Sequence, residues 1–317
     1  MRCVVLGGTG FIGSHLVNAL VEQGHDVASL TRHLPLQNTI LTDTAVSKVR
    51  WQVGDYQNRE DIRKLLEGNE VCFHLISSSL PSNSNKDPSW DVRTNVCSSL
   101  DVMEEAVAAG VKKVFFISSG GTIYGEAQTL PIPEDHPLEP TCSYGVTKLA
   151  IEKYLALFER LHGLQYQIVR LANPYGPGQD VNKAQGAVSV FIERNRNHLP
   201  IDIWGDGSIV RDYIYIDDAI KGIMALAQYA GPEKIFNIGS GVGTSLLELL
   251  EEIALCINPV SEVRFLAARQ FDIKYNVLDI TKARNLLAFS PDTSLQNGVK
   301  KTIEWQNAKK LTKITGN

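Results

Sequence analysis

The sequence predicts an α/β fold, a doubly wound parallel sheet followed by a smaller C-terminal α/β unit, and three observations carry that prediction. The run Cys3-Val4-Val5-Leu6 has no polar position, as a strand buried on both faces requires, and it breaks on glycines before helical spacing resumes at Ile12, Leu16, Val17 and Leu20. Further apolar runs at 25–30, 49–53, 71–76 and 114–119 are separated by segments of helical period or loop. After Asn173 the alternation becomes irregular, as expected where a second unit is threaded onto the first.

Composition narrows the classes. With 317 residues, 44% apolar, the chain is long enough for one large or two modest cores. A formal charge of −4 without a basic stripe argues against nucleic acid as the main partner. No apolar run reaches the length of a membrane span, and the first strand begins too early for a signal peptide. The five cysteines lack C-x-x-C pairs and fall mostly in apolar segments, so reduced thiols in the cytoplasm are expected rather than disulfides or metal ligands.

Each element has a physical reading. Gly7 permits the turn after the first strand, Gly10 lets a phosphate approach the backbone, and Gly13 lets the helix pack closely on the strand. A pyrophosphate would therefore meet Gly7, Gly10, Phe11, Ile12 and Gly13 at a helix N-terminus, making this a Rossmann-type dinucleotide site. The first helix should stop at Gly24, before a strand over 25–30. An NAD site commonly places an acid after that second strand, but Thr31, Arg32 and His33 stand here. A cation pairs with a 2′-phosphate, so Arg32 leans toward NADP; as a solvated loop arginine it is equally compatible with NAD.

Residues 34 to 48 read as a loop, and Gly54-Asp55 ends the next strand, with Asp55 as N-cap of a helix from Asn58 to Leu66. The strand Val71 to Ile76 runs through Leu75, a cofactor-binding candidate, into the polar loop Ser77-Ser78-Ser79, where ligands of such sheets sit. Pro88 opens a helix through Ala109 that bears Asn95. The strand at 114–119 releases Ser118, Ser119 and Thr122 into a loop, and helical periodicity over 142–162 puts Tyr144 and Lys148 one turn apart on one face. An ammonium about 4–6 Å from a tyrosine, with an oxidised nicotinamide, favours the phenolate. Lys148 can also bond the nicotinamide ribose.

Taken together, Gly7 to Gly13, Ser118 to Gly125 and Tyr144 to Lys148 resemble the extended short-chain dehydrogenase/reductase family, and within it the sugar-nucleotide epimerase/dehydratase branch. Later stretches strengthen the likeness to its UDP-glucose 4-epimerase-like members: Arg170 to Gly178, Ile203 to Gly207, Val210 to Ile214 and Phe236 to Gly241. The resemblance implies that Asp55 approaches the adenine, that Asn95 supports the tyrosine and lysine, and that Ser118 lies by the cofactor. It further implies that Asn173, Gln185, Arg211 and, more weakly, Arg269 hold the nucleotide sugar. Helices near 88–109 and 142–162 would form a homodimer interface.

One position departs from the branch. A Ser or Thr that donates to the sugar's 4-oxygen is Gly120 here, leaving Thr122, or else Ser119, to take over. The expected activity is 4-epimerisation of a UDP-hexose or UDP-N-acetylhexosamine through a 4-keto sugar. The rivals are an NADPH-dependent 4-keto sugar-nucleotide reductase and a non-catalytic nucleotide-binding protein. A 4,6-dehydratase is disfavoured because Gly121 and Thr122 stand where that chemistry wants Asp and Glu.

The expected division puts residues 1–173 and about 212–240 with the cofactor, and 174–211 and 241–317 with the substrate. The segment 212–240 reads strand–helix–strand returning to the first sheet, with Asp217 and Asp218 as N-caps.

Overall fold

A computed structural model describes residues 1–35, 40–181, 186–257, 261–269 and 272–315, with side chains as far as 308. The first half alternates as expected: β1 (Arg2–Leu6), α1 (Phe11–Glu22), β2 (Asp26–Thr31), α2 (Asp43–Lys48), β3 (Arg50–Val53), α3 (Arg59–Leu66) and β4 (Val71–His74). There follow α4 (Pro88–Asp91), a π-helical stretch (Val92–Cys97), α5 (Ser98–Ala108), β5 (Lys113–Ser119), α6 (Ser143–His162) and β6 (Gln165–Leu171). The second half is β7 (Asn173–Tyr175), α7 (Ala187–Arg196), β8 (Ile201–Trp204), β9 (Val210–Tyr215), α8 (Ile216–Gln228), β10 (Ile235–Ile238) and β11 (Gly243–Ser245). It ends with α9 (Leu246–Ala254), β12 (Val263–Leu266), β13 (Tyr275–Asn276), α10 (Thr281–Leu287) and α11 (Leu295–Thr315).

The central sheet has seven strands in the order β10-β6-β5-β4-β1-β2-β3, and every pairing in it is parallel. Strand order reverses between β1 and β4, so the crevice at their C-terminal ends is where such sheets bind ligands. Alternating side chains feed two cores: Val5 packs with Leu16 and Phe115 on one face, Val4 and Leu6 with Ile62 and Phe116 on the other. Each fully buried aliphatic side chain of this kind contributes about 1.5–3 kcal/mol.

The structure corrects several local expectations. Residues 34–48 are not all loop, because Thr42 accepts from the Ala45 amide and starts α2; six residues are too few to show a period. Asn58, not Asp55, caps α3, accepting from the Glu60 and Asp61 amides. Neither Asp217 nor Asp218 caps α8, whose N-cap is Tyr215; Asp218 is buried and accepts from the Thr293 amide.

The segment 212–240 also divides. Its first strand, β9, pairs with β7, β11 and β13 in a small sheet, and only β10 returns to the central one, beside β6. Cys97 is exposed, unlike buried Cys3, Cys72 and Cys142. No helix among the described residues is long and apolar enough to cross a membrane.

Candidate active site

The glycine turn fits a dinucleotide on geometric grounds. Gly7 has φ +93°, and a Cβ on Gly13 would lie 2.0 Å from the Gly7 carbonyl oxygen, so α1 can approach β1 this closely only with glycine there. No side chain caps α1 at Gly10, which leaves the amide end of the helix, at Phe11, Ile12 and Gly13, facing the crevice. Leu75 follows β4 alongside, its amide donating to the Leu6 carbonyl at 3.0 Å. Ser118, at the end of β5, has a buried Oγ without a hydrogen-bond partner among the described residues.

The rim is less committed. Arg32 is exposed after β2, where the Thr31 hydroxyl donates to the His33 carbonyl at 2.6 Å. Asp55 is exposed and accepts from the Gln57 amide at 2.8 Å. Neither contact discriminates between NAD and NADP.

Helix α6 carries Tyr144 and Lys148 on one face. The Lys148 ammonium is buried, donates to the Ile117 carbonyl at 2.9 Å, and stands 4.7 Å from the Phe116 ring centre and 5.6 Å from that of Tyr144. Burial pulls its pKa from 10.5 to about 8, against the pull of Glu152 and Asp91. The Tyr144 phenol is pushed above its ordinary value by burial, reinforced by Cys142 and Asp91, while hydrogen bonds with Ser119 and Ser77 act in the opposite sense. Burial thus works against the phenolate, and the expectation of a phenolate rests on two positive charges, Lys148 and an oxidised nicotinamide, of which the chain itself supplies only the first. A further positive charge in the crevice is needed.

Beyond Lys148, Glu152 continues the same face and pairs with buried Arg170 of β6 at 2.8 Å. Arg170 also donates to the Glu134 carbonyl at 2.7 Å and to the Tyr124 hydroxyl at 3.1 Å. The pair ties α6 to β6 and to the loop after β5. Its clue in the sequence is the spacing of Tyr144, Lys148 and Glu152, each four residues apart.

The loop after β5 explains the departure at Gly120. A Cβ there would fall 2.5 Å from a terminal methyl of Leu278 and 3.2 Å from the Arg170 carbonyl, so a serine or threonine would require Leu278 to shift. A turn closed by the Thr122 amide on the Ser119 carbonyl brings Thr122 to the cavity, and its Oγ1 is buried without a partner among the described residues.

That cavity, of about 520 Å³, runs from Thr122 and Cys142 past Asn173 to the small sheet. Asn173 donates to the Asp212 carbonyl at 3.0 Å. Arg211 lines it with Nη1 bound to the Val210 and Ile273 carbonyls at 2.9 and 2.7 Å; burial lowers its pKa. Arg269 lies 4.1 Å over the Trp204 ring, and Arg194 adds a third cation to the same end. Trp204 falls in the Ile203–Gly207 stretch that carries the resemblance, although that stretch assigns its ring no role; Arg194 has no clue in the sequence beyond its type, and Gln185 lies outside the described residues. The hydroxyl loop joins the Tyr–Lys helix to the cationic cavity, since its Ser119 bonds Tyr144 and its Thr122 lines the cavity, while the glycine turn stands after β1 at the same C-terminal edge of the sheet.

Residues 3–239 match the NAD dependent epimerase/dehydratase family. The chain belongs to this family. It is 35% identical to the UDP-glucose 4-epimerase of Mycolicibacterium smegmatis over 311 residues, covering 96% of this chain and 98% of that one. It is 32% identical to the dTDP-4-dehydro-6-deoxyglucose reductase of Escherichia coli over 314 residues, covering 95% and 96%. Among solved structures, the UDP-glucose 4-epimerase of Thermotoga maritima, determined with UDP-glucose, superposes with a TM-score of 0.91 at 34% identity, covering 98% of this chain and 99% of that one. The family assignment agrees with the seven-stranded parallel sheet and with the close approach of α1 to β1 at the glycine turn.

Proposed function

We propose that this family member is a nucleoside-diphosphate-sugar 4-epimerase, acting on a UDP-hexose or UDP-N-acetylhexosamine with NAD. The observation that carries the reading is the unpartnered Thr122 hydroxyl at the cavity wall, on the loop whose Ser119 bonds Tyr144. A sugar with its C4 hydroxyl between Thr122 and Tyr144 would place its diphosphate toward Arg211 and Arg269.

A nicotinamide dinucleotide held at the glycine turn would supply the acceptor, and then the donor, of a hydride at C4. Tyr144 removes the C4 hydroxyl proton, Lys148 keeps a positive charge beneath it, and Thr122 donates to the 4-oxygen as it becomes a ketone. Tyr144 returns the proton after the 4-keto sugar has turned over in the cavity, whose volume suits a ligand of this size. No net cofactor is consumed.

The test is NMR of purified protein with UDP-glucose, UDP-galactose and their N-acetyl forms, without added cofactor. Interconversion at C4 is the expected result; none with any of the four sinks the reading.

The second reading, an NADPH-dependent 4-keto sugar-nucleotide reductase, is favoured by exposed Arg32 and by the reductase relative. It predicts NADPH oxidation when a 4-keto sugar nucleotide is supplied. Against a non-catalytic role stands the Thr122 hydroxyl, which faces the cavity where Gly120 offers no donor.

We also propose a homodimer. Val146, Tyr154, Leu157 and Leu161 are exposed at helical spacing along α6, and Trp90 and Val92 are exposed on the adjoining helix. Light scattering after gel filtration should give twice the chain mass, and Leu161→Glu should halve it. A cytoplasmic location fits the free thiols.

A further inference from the structure

Helix α6 has no side-chain cap of its own at Cys142, yet its first residue is held twice from another part of the chain. The Ser143 amide donates to Asn85 Oδ1 at 2.8 Å, and the Ser143 hydroxyl donates to Asp91 Oδ2 at 2.6 Å. The other carboxylate oxygen of Asp91 accepts from the Ser79 hydroxyl at 2.5 Å and from Asn95 Nδ2 at 2.7 Å. Asn95 in turn accepts from the Ser78 amide at 2.8 Å, so the same cluster fixes the loop after β4. Asp91 is 0% exposed, and no cation pairs with it among the described residues. An isolated buried carboxylate is costly, and here hydroxyl and amide donors together with the positive end of α6 offset that cost.

We propose that Asp91 is a positioning residue: its carboxylate, bridging Ser143, Ser79 and Asn95, sets Tyr144 against the cleft loop and supplies the negative charge that faces the Tyr–Lys pair. The proposal rests on the reading of Tyr144 as the proton-transferring group. Both oxygens of Asp91 act as acceptors, an arrangement an amide could match only by turning one hydroxyl round. A neutral side chain could satisfy the donors, whereas the charge of Asp91 acts on both Tyr144 and Lys148.

The other titratable groups around the pair are few. Cys142 precedes Tyr144, Glu152 faces Lys148 from the next turn of α6, and His74 of β4 feels the Lys148 charge. Burial holds His74 down to about 3, so it stays neutral across the working range.

Asp91→Asn and Ser143→Ala separate the two roles in the NAD-loaded protein. The midpoint of Tyr144 is read from tyrosinate absorbance as the difference between each protein and its Tyr144→Phe counterpart, with no sugar present. In Asp91→Asn the midpoint should move to lower pH, because a negative charge that disfavours the phenolate is gone. The alkaline limb of kcat, set by Lys148, should move the same way.

A misplaced acid–base group costs about 10²-fold, so kcat should fall toward that figure in Asp91→Asn while KM changes less. Ser143→Ala removes one bond and no charge, so kcat should drop with the midpoint unmoved. An unchanged midpoint and kcat in folded Asp91→Asn, or an unchanged kcat in Ser143→Ala should Asp91→Asn not fold, overturns the proposal. A shifted midpoint in a protein that turns over no sugar nucleotide supports the positioning role and defeats the proposed reaction instead.

Discussion

The two walls of the crevice are built differently. The cofactor wall uses backbone: a turn with glycines at positions where side chains would collide, a helix terminus, and strand ends in register. The opposite wall uses side chains, Arg194, Trp204, Arg211 and Arg269, brought from α7, β8, β9 and the segment after β12. A backbone site constrains consecutive residues, so it leaves a spacing in the sequence. A side-chain site constrains only where scattered residues meet, and it can be varied one residue at a time without disturbing the fold.

The contrast can be broken or sharpened by substitution. The largest effect should come at the junction of the walls: Tyr144→Phe should lower kcat by about 10²–10⁴-fold while cofactor stays bound, as checked by turnover and by nucleotide released on denaturation. Thr122→Val, close in volume, should lower kcat by about 10²-fold with little change in KM, the mark of a donor used in the transition state. Comparable activity would assign the 4-oxygen contact to Ser119.

Arg211→Ala belongs to the other wall. It should raise KM by roughly tenfold or more, from about 1.5–3 kcal/mol for a bond to a charged group, and leave bound cofactor untouched. A loss of cofactor in this variant would show that the walls are not separable.

The smallest effect is a pH dependence of Lys148. Its folded pKa of about 8 lies below the ordinary 10.5, so kcat should decline as pH rises through 8. Its contribution to stability runs the other way: between those values the unfolded chain binds the extra proton, so stability from this group rises with pH. Paired rate and chemical-denaturation profiles over that window should diverge.

Much of the fold was legible because local pattern and global topology agree. The glycine turn, the apolar parallel strands and the Tyr–Lys spacing each follow from one stretch of chain. What stayed hidden depends on contacts distant in sequence. Gly120 looks like a lost donor until Leu278 is seen packed against it, and Asp91 is an ordinary helix residue until Ser143 is seen above it. Helix α2 escaped because its six residues are shorter than two turns. The place of β9 escaped because a strand's own residues do not say which sheet it joins.

The last strand of the central sheet has a consequence for biogenesis. β6 stays an open edge until residues 235–238 arrive, after the chain has passed through α7, β8, β9 and α8. During synthesis Ile168 and Val169, both buried in the finished protein, therefore lack their neighbouring strand while the ribosome adds those elements. A nascent chain stalled before Ile235 would display that edge to whatever strand comes near.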